Sequence, residues 1–159
     1  MKIGIIGSGV IVLEALKSIA LSGTSTCTAL WHRDVDVAGA ENLKAQFGIP
    51  RLYTDLDEFL KDDTFDVVYI GVINSLHYFN ALKALQAGKN VICEKPFTPT
   101  GAEAKELIDL AKEKNLFLFE AIMLRYTDNY ELIRSKLPEL GDIKMVQCNY
   151  SQYSRRYDK

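Results

Sequence analysis

The stretch that decides the fold lies at the start of the chain and reads Lys2-Ile3-Gly4-Ile5-Ile6-Gly7-Ser8-Gly9-Val10-Ile11-Val12. The run 3–6 is too short for a helix and rich in β-branched residues, so it predicts a buried strand of a parallel sheet. Gly7 and Gly9 then permit a tight turn and a close approach of the backbone to a ligand. A helix that begins directly after such a turn directs free N–H groups at an anion. The stretch therefore predicts a strand, a turn and a helix that together hold a pyrophosphate.

The glycine pattern is incomplete, because Val12 stands where Gly-x-Gly-x-x-Gly has its third glycine. That position serves the packing of the helix on the strand, so we expect altered packing rather than loss of binding. A glycine turn that only links a strand to a helix is the alternative. Apolar positions at helical spacing follow from Val10 to Ser22-Gly23, and residues 26–31 have the composition of a strand. These elements make a βαβ unit of roughly thirty residues, which is the context that a binding turn requires.

The composition favours a small-molecule ligand. The chain has 159 residues, a net charge of −2 and 48% apolar residues. Neither sign of charge forms a long block, so we expect neither nucleic acid nor a membrane surface as a partner. Met1-Lys2 leads directly into the first strand without a signal peptide, and no apolar run approaches the roughly 18 residues of a membrane span. We therefore expect a cytoplasmic protein.

We expect no metal site. The cysteines Cys27, Cys93 and Cys148 lie far apart without Cys-x-x-Cys spacing, which argues against a disulfide framework and against a zinc site. The acidic residues within 55–58 crowd into the first turn of a predicted helix, where the helix dipole favours them. They lack the glycine and the spacing of a calcium loop.

Strand and helix patterns alternate through the rest of the chain. They predict strands over 51–54, 66–70, 90–93 and 116–121, and helices over 34–47, 54–60, 78–87 and 100–111. Thr54 and Thr100 are the predicted N-caps of two of these helices, and Thr100 forms a capping box with Glu103. Val10, Val37 and Ala38 are among the residues expected to face the core. The alternation predicts an α/β fold with a doubly wound, mostly parallel sheet of the Rossmann type.

The end of the second strand is where a dinucleotide fold contacts the adenosine ribose, and here the residues are His32-Arg33-Asp34. An acid at this place would repel a 2'-phosphate, whereas the Arg33 guanidinium can bind one with two hydrogen bonds or stack on adenine. We therefore expect NADP or NAD as the cofactor, with NADP slightly favoured. In the alternative, Arg33 is a solvated loop charge and Asp34 caps the next helix.

Two more loops follow carboxyl ends of predicted strands, the edge at which open α/β sheets collect ligands. Gly71-Val72-Ile73-Asn74-Ser75-Leu76-His77 follows the fourth strand, and Glu94-Lys95-Pro96 follows the fifth. Proline fixes its own backbone and excludes the preceding residue from the helical region. We therefore expect Lys95 to be held extended at the tip of the fifth strand.

These motifs, with the run Gly88-Lys89-Asn90-Val91-Ile92-Cys93-Glu94-Lys95-Pro96-Phe97, resemble the Gfo/Idh/MocA family of NAD(P)-dependent oxidoreductases. The resemblance implies hydride transfer between a nicotinamide and a sugar, polyol or diol substrate. It also implies a set of cofactor-binding residues, namely Gly7, Ser8, Gly9, Val10 and Ile11 at the pyrophosphate, His32 and Arg33 at the adenosine, and Asn74, His77, Glu94, Lys95 and Pro96 at the nicotinamide and substrate.

Within that set, the resemblance makes Lys95 and His77 the candidate catalytic residues. An ammonium near the substrate oxygen stabilises developing alkoxide charge and can exchange a proton with it. Glu94 is expected to orient the lysine or to hold the nicotinamide ribose. For His77 the alternative is a purely structural role at the start of a helix. The sequence departs from the family at Val12, where a small residue is usual, and at Ile73, where proline is common.

The resemblance also predicts the domain organisation. We expect a Rossmann domain over residues 1–121, and over residues 122–159 a crossover helix and the first strand of an incomplete α+β domain for substrate binding and oligomerisation. Residues 141–150 have the pattern of that strand. Family members usually run to about twice this length, so the chain is a fragment or a short form. A strand without neighbours exposes its backbone N–H and C=O groups, which predicts a homo-oligomer formed through this segment.

Three functions fit these observations. The favoured one is the cofactor-binding half of an NAD(P)-dependent oxidoreductase, weak or inactive by itself. The second is a non-catalytic module that senses a dinucleotide, and the third is a non-redox lyase that retains NAD.

Overall fold

The computed structural model describes residues 1–151 and 153. A six-stranded sheet lies at the centre of the first 122 residues, and each strand pairs in parallel with its neighbours. The strands are β1 (Lys2–Ile6), β2 (Thr26–Trp31), β3 (Arg51–Tyr53), β4 (Val67–Ile70), β5 (Asn90–Cys93) and β6 (Leu118–Glu120). Their order across the sheet is β3-β2-β1-β4-β5-β6. This is the strand order of a doubly wound dinucleotide-binding fold, so the predicted fold class is confirmed.

Helices cover both faces of the sheet. They are α1 (Val10–Ser22), α2 (Val37–Phe47), α3 (Leu56–Lys61), α4 (His77–Gln86) and α5 (Gly101–Glu113). One apolar cluster joins the sheet to α1 and α2 through residues such as Leu16 and Leu43. A second cluster joins the other face to α3, α4 and α5 through residues such as Phe59, Leu85 and Leu107. All four residues of β4 are buried, as expected for a central strand of a parallel sheet.

Several local predictions need correction. Asp55, rather than Thr54, caps α3, because its carboxylate accepts the Glu58 N–H at 2.9 Å. The predicted helix over 34–47 divides into a 3-10 turn over Asp34–Asp36 and α2, and the side chain of Asp34 caps neither. The capping box of Thr100 is confirmed, with both of its reciprocal hydrogen bonds present.

Three apolar residues expected in the core are exposed instead. Val10 is 80% exposed, Val37 is 46% exposed and Ala38 is also exposed. Each lies in the first turn of its helix, at the carboxyl edge of the sheet, where the strands have already ended. In α1 the deeply buried residues are Val12 and Leu16. Val12 therefore packs the helix on the strands, as the sequence predicts for that position.

A buried carboxylate ties β3 to the end of α3. Asp62 is 7% exposed and accepts hydrogen bonds from the Arg51 guanidinium at 2.7 Å, the Tyr53 hydroxyl at 3.0 Å and the Thr64 N–H at 2.9 Å. Burial by itself would raise the pKa of Asp62, but these hydrogen bonds outweigh it and lower the pKa to about 2. The carboxylate is therefore an ionised structural link.

A second, separate compact unit begins at Met123, and the first ends at Ile122. The second unit contains a 3-10 turn (Met123–Tyr126), the helix α6 (Asp128–Lys136) and another 3-10 turn (Leu137–Leu140). The strand predicted over 141–150 is not formed, because a strand needs a neighbour for its backbone groups and no pairing partner for it occurs among the described residues. The remainder of the predicted second domain, 152 and 154–159, lies outside the described residues. Within the described part, no helix has the length and apolar character needed to cross a bilayer.

Candidate functional site

The glycine turn after β1 adopts a backbone that only glycine takes easily at its first position. Gly7 has a φ of 122°, and a Cβ built there would lie 2.5 Å from the carbonyl oxygen of Gly71. The Gly7 N–H donates to the Trp31 carbonyl, and the Gly71 N–H donates to the Ile6 carbonyl, both at 2.9 Å. The turn is thus fixed between the ends of β2 and β4.

The second glycine has a different role. Gly9 is the N-cap of α1 with a φ of −80°, and no atom of the described residues lies within 4 Å of where its Cβ would be. Within the described part of the chain nothing therefore requires a glycine here, whereas a ligand that approaches the backbone closely would. The first turn of α1 carries no acidic residue to compete with an anion, and the Ser8 hydroxyl has no hydrogen-bond partner among the described residues. The turn fits a pyrophosphate, which Ser8 and the free N–H groups that begin α1 would hold.

The predicted adenosine-binding residues follow β2. His32 is 4% exposed, and its Nδ1 lies 2.9 Å from the carbonyl oxygen of Arg33. The Arg33 Nε donates to a carboxylate oxygen of Asp36 at 2.8 Å, with the Arg33 side chain 54% exposed. This ion pair leaves both terminal nitrogens of the guanidinium available to a phosphate. The histidine, in contrast, supports the main chain of the loop.

The loops after β4 and β5 begin side by side, because Ile70 pairs with Cys93. Glu94 follows directly and is 7% exposed. Its Oε1 accepts the Tyr69 hydroxyl at 2.8 Å. Burial and this hydrogen bond raise the pKa of Tyr69, so the phenol stays protonated and donates. Glu94 is therefore anchored in the sheet rather than directed at solvent.

His77, at the start of α4, is almost fully buried at 1% exposure. Its Nδ1 lies 2.8 Å from the Pro96 carbonyl oxygen and its Nε2 lies 3.0 Å from the Val72 carbonyl oxygen. Both ring nitrogens thus face main-chain oxygens of the two loops. This geometry favours the structural alternative for His77, and its catalytic role stays a prediction. The ring joins the loop after β4 to the loop that carries Lys95.

Lys95 is exposed at the tip of β5, and its peptide bond to Pro96 is cis. Among the described residues, no hydrogen bond or ion pair of its ammonium occurs. Asn74 is also exposed, in a short 3-10 turn before α4. Of the predicted site residues, the glycine turn, Arg33, Asn74 and Lys95 therefore all offer groups at the same carboxyl edge of the sheet.

Three residues near this edge were not among the predicted ones. Tyr69 binds Glu94, and Glu120, at the end of β6, accepts the Phe97 N–H at 3.2 Å. Cys93 is fully buried, and burial together with the Glu94 and Glu120 carboxylates raises the pKa of its thiol to about 12, so it stays protonated. Tyr69 and Cys93 lie inside apolar strand runs, where a polar group gives no separate signal in sequence. Among the described residues, no group of three potential metal ligands occurs.

Comparison with known proteins agrees with this geometry. Residues 1–122 match the family model described as the Gfo/Idh/MocA oxidoreductase family with an NAD-binding Rossmann fold. The chain belongs to this family. It spans about half the length of the curated relatives that it matches.

Two relatives and one solved structure illustrate the match. The scyllo-inositol 2-dehydrogenase (NADP(+)) IolU of Bacillus subtilis is 33% identical over 158 residues, which cover 99% of this chain and 48% of that protein. The trans-1,2-dihydrobenzene-1,2-diol dehydrogenase of Xenopus tropicalis is 37% identical over 133 residues, which cover 79% of this chain and 40% of that protein. One solved structure is the crystal structure of KijD10, a 3-ketoreductase from Actinomadura kijaniata, in complex with NADP and TDP-benzene. It superposes with a TM-score of 0.80 at 28% identity, and the match covers 87% of this chain and 42% of KijD10.

Proposed function

We propose that this chain is the coenzyme-binding half of an NAD(P)-dependent dehydrogenase that acts on a hydroxyl or carbonyl carbon of a sugar, polyol or diol. The observation that carries the proposal is the placement of two unlike groups on one edge of the sheet. The glycine turn before α1 offers free N–H groups to a pyrophosphate, and the exposed ammonium of Lys95 stands at the tip of β5. A dinucleotide lies along such an edge.

The coenzyme is NADP in preference to NAD. Gly7, Ser8, Gly9, Val10 and Ile11 hold the pyrophosphate, and Arg33 meets the 2'-phosphate with its terminal nitrogens. Two findings support this choice. The Arg33 guanidinium keeps those nitrogens free of the Asp36 carboxylate, and the printed names of IolU and of the KijD10 complex both include NADP.

A bound nicotinamide supplies or accepts the hydride, and Lys95 serves the substrate oxygen. In the direction of reduction, the carbonyl carbon gains a hydride and the Lys95 ammonium donates a proton to the oxygen. The carbonyl thus becomes a hydroxyl and the lysine a neutral amine, which solvent protonates again. In oxidation the amine accepts that proton. His77 holds the two loops in place, and Glu94 and Pro96 fix the segment around Lys95.

The names of the relatives support the proposed substrate class, and the exposure of Lys95 bears on the expected activity. The relatives act, by their names, on an inositol and on a vicinal diol. Lys95 is exposed in a chain of these 159 residues, so water surrounds the place of reaction, and preorganised electrostatic stabilisation is weak there. We therefore expect this chain to bind coenzyme weakly and to turn over little.

Calorimetry with NADP⁺ and NAD⁺ tests the proposal. We expect heat of binding with both coenzymes and tighter binding of NADP⁺, and the Arg33→Ala variant should lose the difference. A folded sample that gives no heat with either coenzyme would overturn the proposal. In a second assay, absorbance of reduced nicotinamide is followed with a panel of polyols and diols. Rapid steady-state turnover by the 159 residues would contradict the expected weak activity.

A further inference from the structure

Glu94 and Lys95 are neighbours of opposite charge at the proposed site, yet they form no ion pair. All ion pairs of the described residues join other side chains. Glu94 is buried at 7% exposure, whereas Lys95 is exposed. A buried carboxylate needs compensating hydrogen bonds, and the nearest cation in sequence does not supply them.

The compensation comes from β4. The Tyr69 hydroxyl donates to Oε1 of Glu94 at 2.8 Å, and the Lys95 main-chain N–H donates to Oε2 at a longer 3.4 Å. Tyr69 is 9% exposed, and it pairs with Ile92 across the β4–β5 ladder, two residues before Glu94. The phenol is thus rigidly placed, and it is the one side-chain donor to this carboxylate among the described residues.

The absence of a side chain at Gly71 provides the space for the Tyr69 ring. A Cβ at Gly71 would lie 3.0 Å from Cε1 of Tyr69 and 2.8 Å from Cγ2 of Val12. The ring therefore occupies the volume that the missing side chain of Gly71 leaves, beside the fully buried Val12. This packing restricts the ring to the rotamer in which the hydroxyl reaches Glu94.

We propose that Tyr69 is a positioning residue, whose hydroxyl holds the Glu94 carboxylate against the sheet and so keeps the Lys95 ammonium free of an ion pair and available to a substrate oxygen. The inference deepens the proposed function and rests on it for the role of Lys95. Without the hydroxyl, the carboxylate loses its short hydrogen bond and gains most by turning to the adjacent ammonium.

Several ionisable groups surround this segment. They are Tyr69 on β4, Cys93 at the end of β5, Glu94 directly after it, Glu120 at the end of β6 and His77 at the start of α4. The phenol and the thiol stay neutral, because their pKa values are raised. One oxygen of Glu120, Oε1, accepts the Phe97 N–H, which directs this carboxylate at the loop backbone after Pro96. Glu94 is therefore the carboxylate that, once freed from Tyr69, can most directly pair with the Lys95 ammonium.

The test measures how fast the Lys95 amine is acetylated by a water-soluble N-hydroxysuccinimide ester at fixed pH, without coenzyme. Mass spectrometry of the digested protein gives the rate at Lys95 and, as internal controls, at the exposed Lys2 and Lys112. In Tyr69→Phe we expect labelling of Lys95 to slow by about threefold to fivefold, the range of a partly exposed ion pair. The two control lysines should not change.

Two further variants make the outcome specific. Adding Glu94→Gln to Tyr69→Phe should restore the wild-type rate, because the amide carries no charge to pair with the ammonium. Glu94→Gln alone should speed labelling by less than about twofold, because the carboxylate is held by Tyr69 and is not paired with the ammonium. This measurement does not depend on the folding of Tyr69→Phe. The proposal is wrong if folded Tyr69→Phe labels at the wild-type rate, if the double variant stays slow, or if Glu94→Gln alone accelerates labelling threefold or more. Because no coenzyme is present, these results are separate from a failure of coenzyme binding.

Discussion

The two glycines of the first turn should respond in opposite ways to the same substitution, since one is required by the fold and the other by a ligand. In Gly7→Ala, the new methyl group meets the Gly71 carbonyl oxygen at 2.5 Å, and alanine must adopt a φ of 122°. The backbone conformation costs about 1 to 3 kcal/mol, and the contact with a fixed main-chain atom adds about 1 to 3 kcal/mol. We expect the free energy of unfolding to fall by about 2 to 6 kcal/mol.

Gly9→Ala should leave stability almost unchanged. Its φ of −80° suits alanine, and nothing lies within 4 Å of the added atom. A poorer N-cap and a less flexible unfolded chain have opposite effects, so the free energy of unfolding should change by no more than about 0.5 kcal/mol. The methyl group does, however, project where a pyrophosphate approaches the backbone. We expect affinity for NADP⁺ to fall at least about tenfold, or about 1.4 kcal/mol.

Urea unfolding and calorimetry with NADP⁺, applied to both variants, measure the two effects separately. The sharp result is a stable Gly9→Ala protein that binds coenzyme poorly. If Gly9→Ala instead unfolds as easily as Gly7→Ala, the fold itself, and not a ligand, requires glycine at position 9. If it is stable and binds as tightly as the wild type, the turn does not hold the pyrophosphate.

Three further predictions follow from single contacts. The pKa of Asp62 is lowered from 3.8 to about 2, so its contribution to stability is present above pH 4 and is lost as the pH falls towards 2. Over this range the free energy of unfolding of the wild type should fall by about 2 kcal/mol, and that of Asp62→Asn should fall by less. Ile73 has a φ of −69° and an amide without a hydrogen bond among the described residues, so Ile73→Pro should change the free energy of unfolding by between 0 and about +1 kcal/mol in urea titrations. Removing the carboxylate that pairs with Arg33, in Asp36→Asn, should tighten NADP⁺ by about threefold in calorimetry and leave NAD⁺ unchanged.

Each of these predictions has a contradicting outcome. Equal acid sensitivity of the wild type and Asp62→Asn would show that the buried carboxylate is not the group that titrates. A large loss of stability in Ile73→Pro would mean that its amide is needed. If Asp36→Asn weakens NADP⁺, the carboxylate orients the guanidinium rather than competing for it.

Sequence reasoning predicted the layout of the fold because its signals are local and repeated. Short β-branched runs bounded by glycine, and helices with clear caps, recur at spacings that only a parallel α/β sheet accommodates. It failed where an interaction reaches across the chain or where a strand lacks a neighbour. The segment 141–150 has a strand pattern, but pattern alone does not provide a pairing partner. The exposed Val10 and Val37 show the same limit, since periodicity does not reveal where the sheet ends beneath a helix.

For the candidate site, sequence indicated which loops reach the edge but not what each side chain does there. His77 is a residue type common in catalysis, and only the structure shows that both of its ring nitrogens face main-chain carbonyl oxygens. Tyr69 is the opposite case. It lies within an apolar strand, and its hydroxyl donates to a carboxylate 25 positions later in the chain. Such pairings are set by register across the sheet, which no local pattern encodes.

The position of β1 in the middle of the sheet has a consequence for biosynthesis. β1 is synthesised before its partner β4, which begins roughly sixty residues later, and at about 5 to 20 residues per second the delay is several seconds. During that time one edge of this nearly all-apolar strand has no pairing partner. The nascent polypeptide therefore relies on α1 and β2 to shield β1, and slow translation between β2 and β4 would prolong the interval in which it is prone to aggregate.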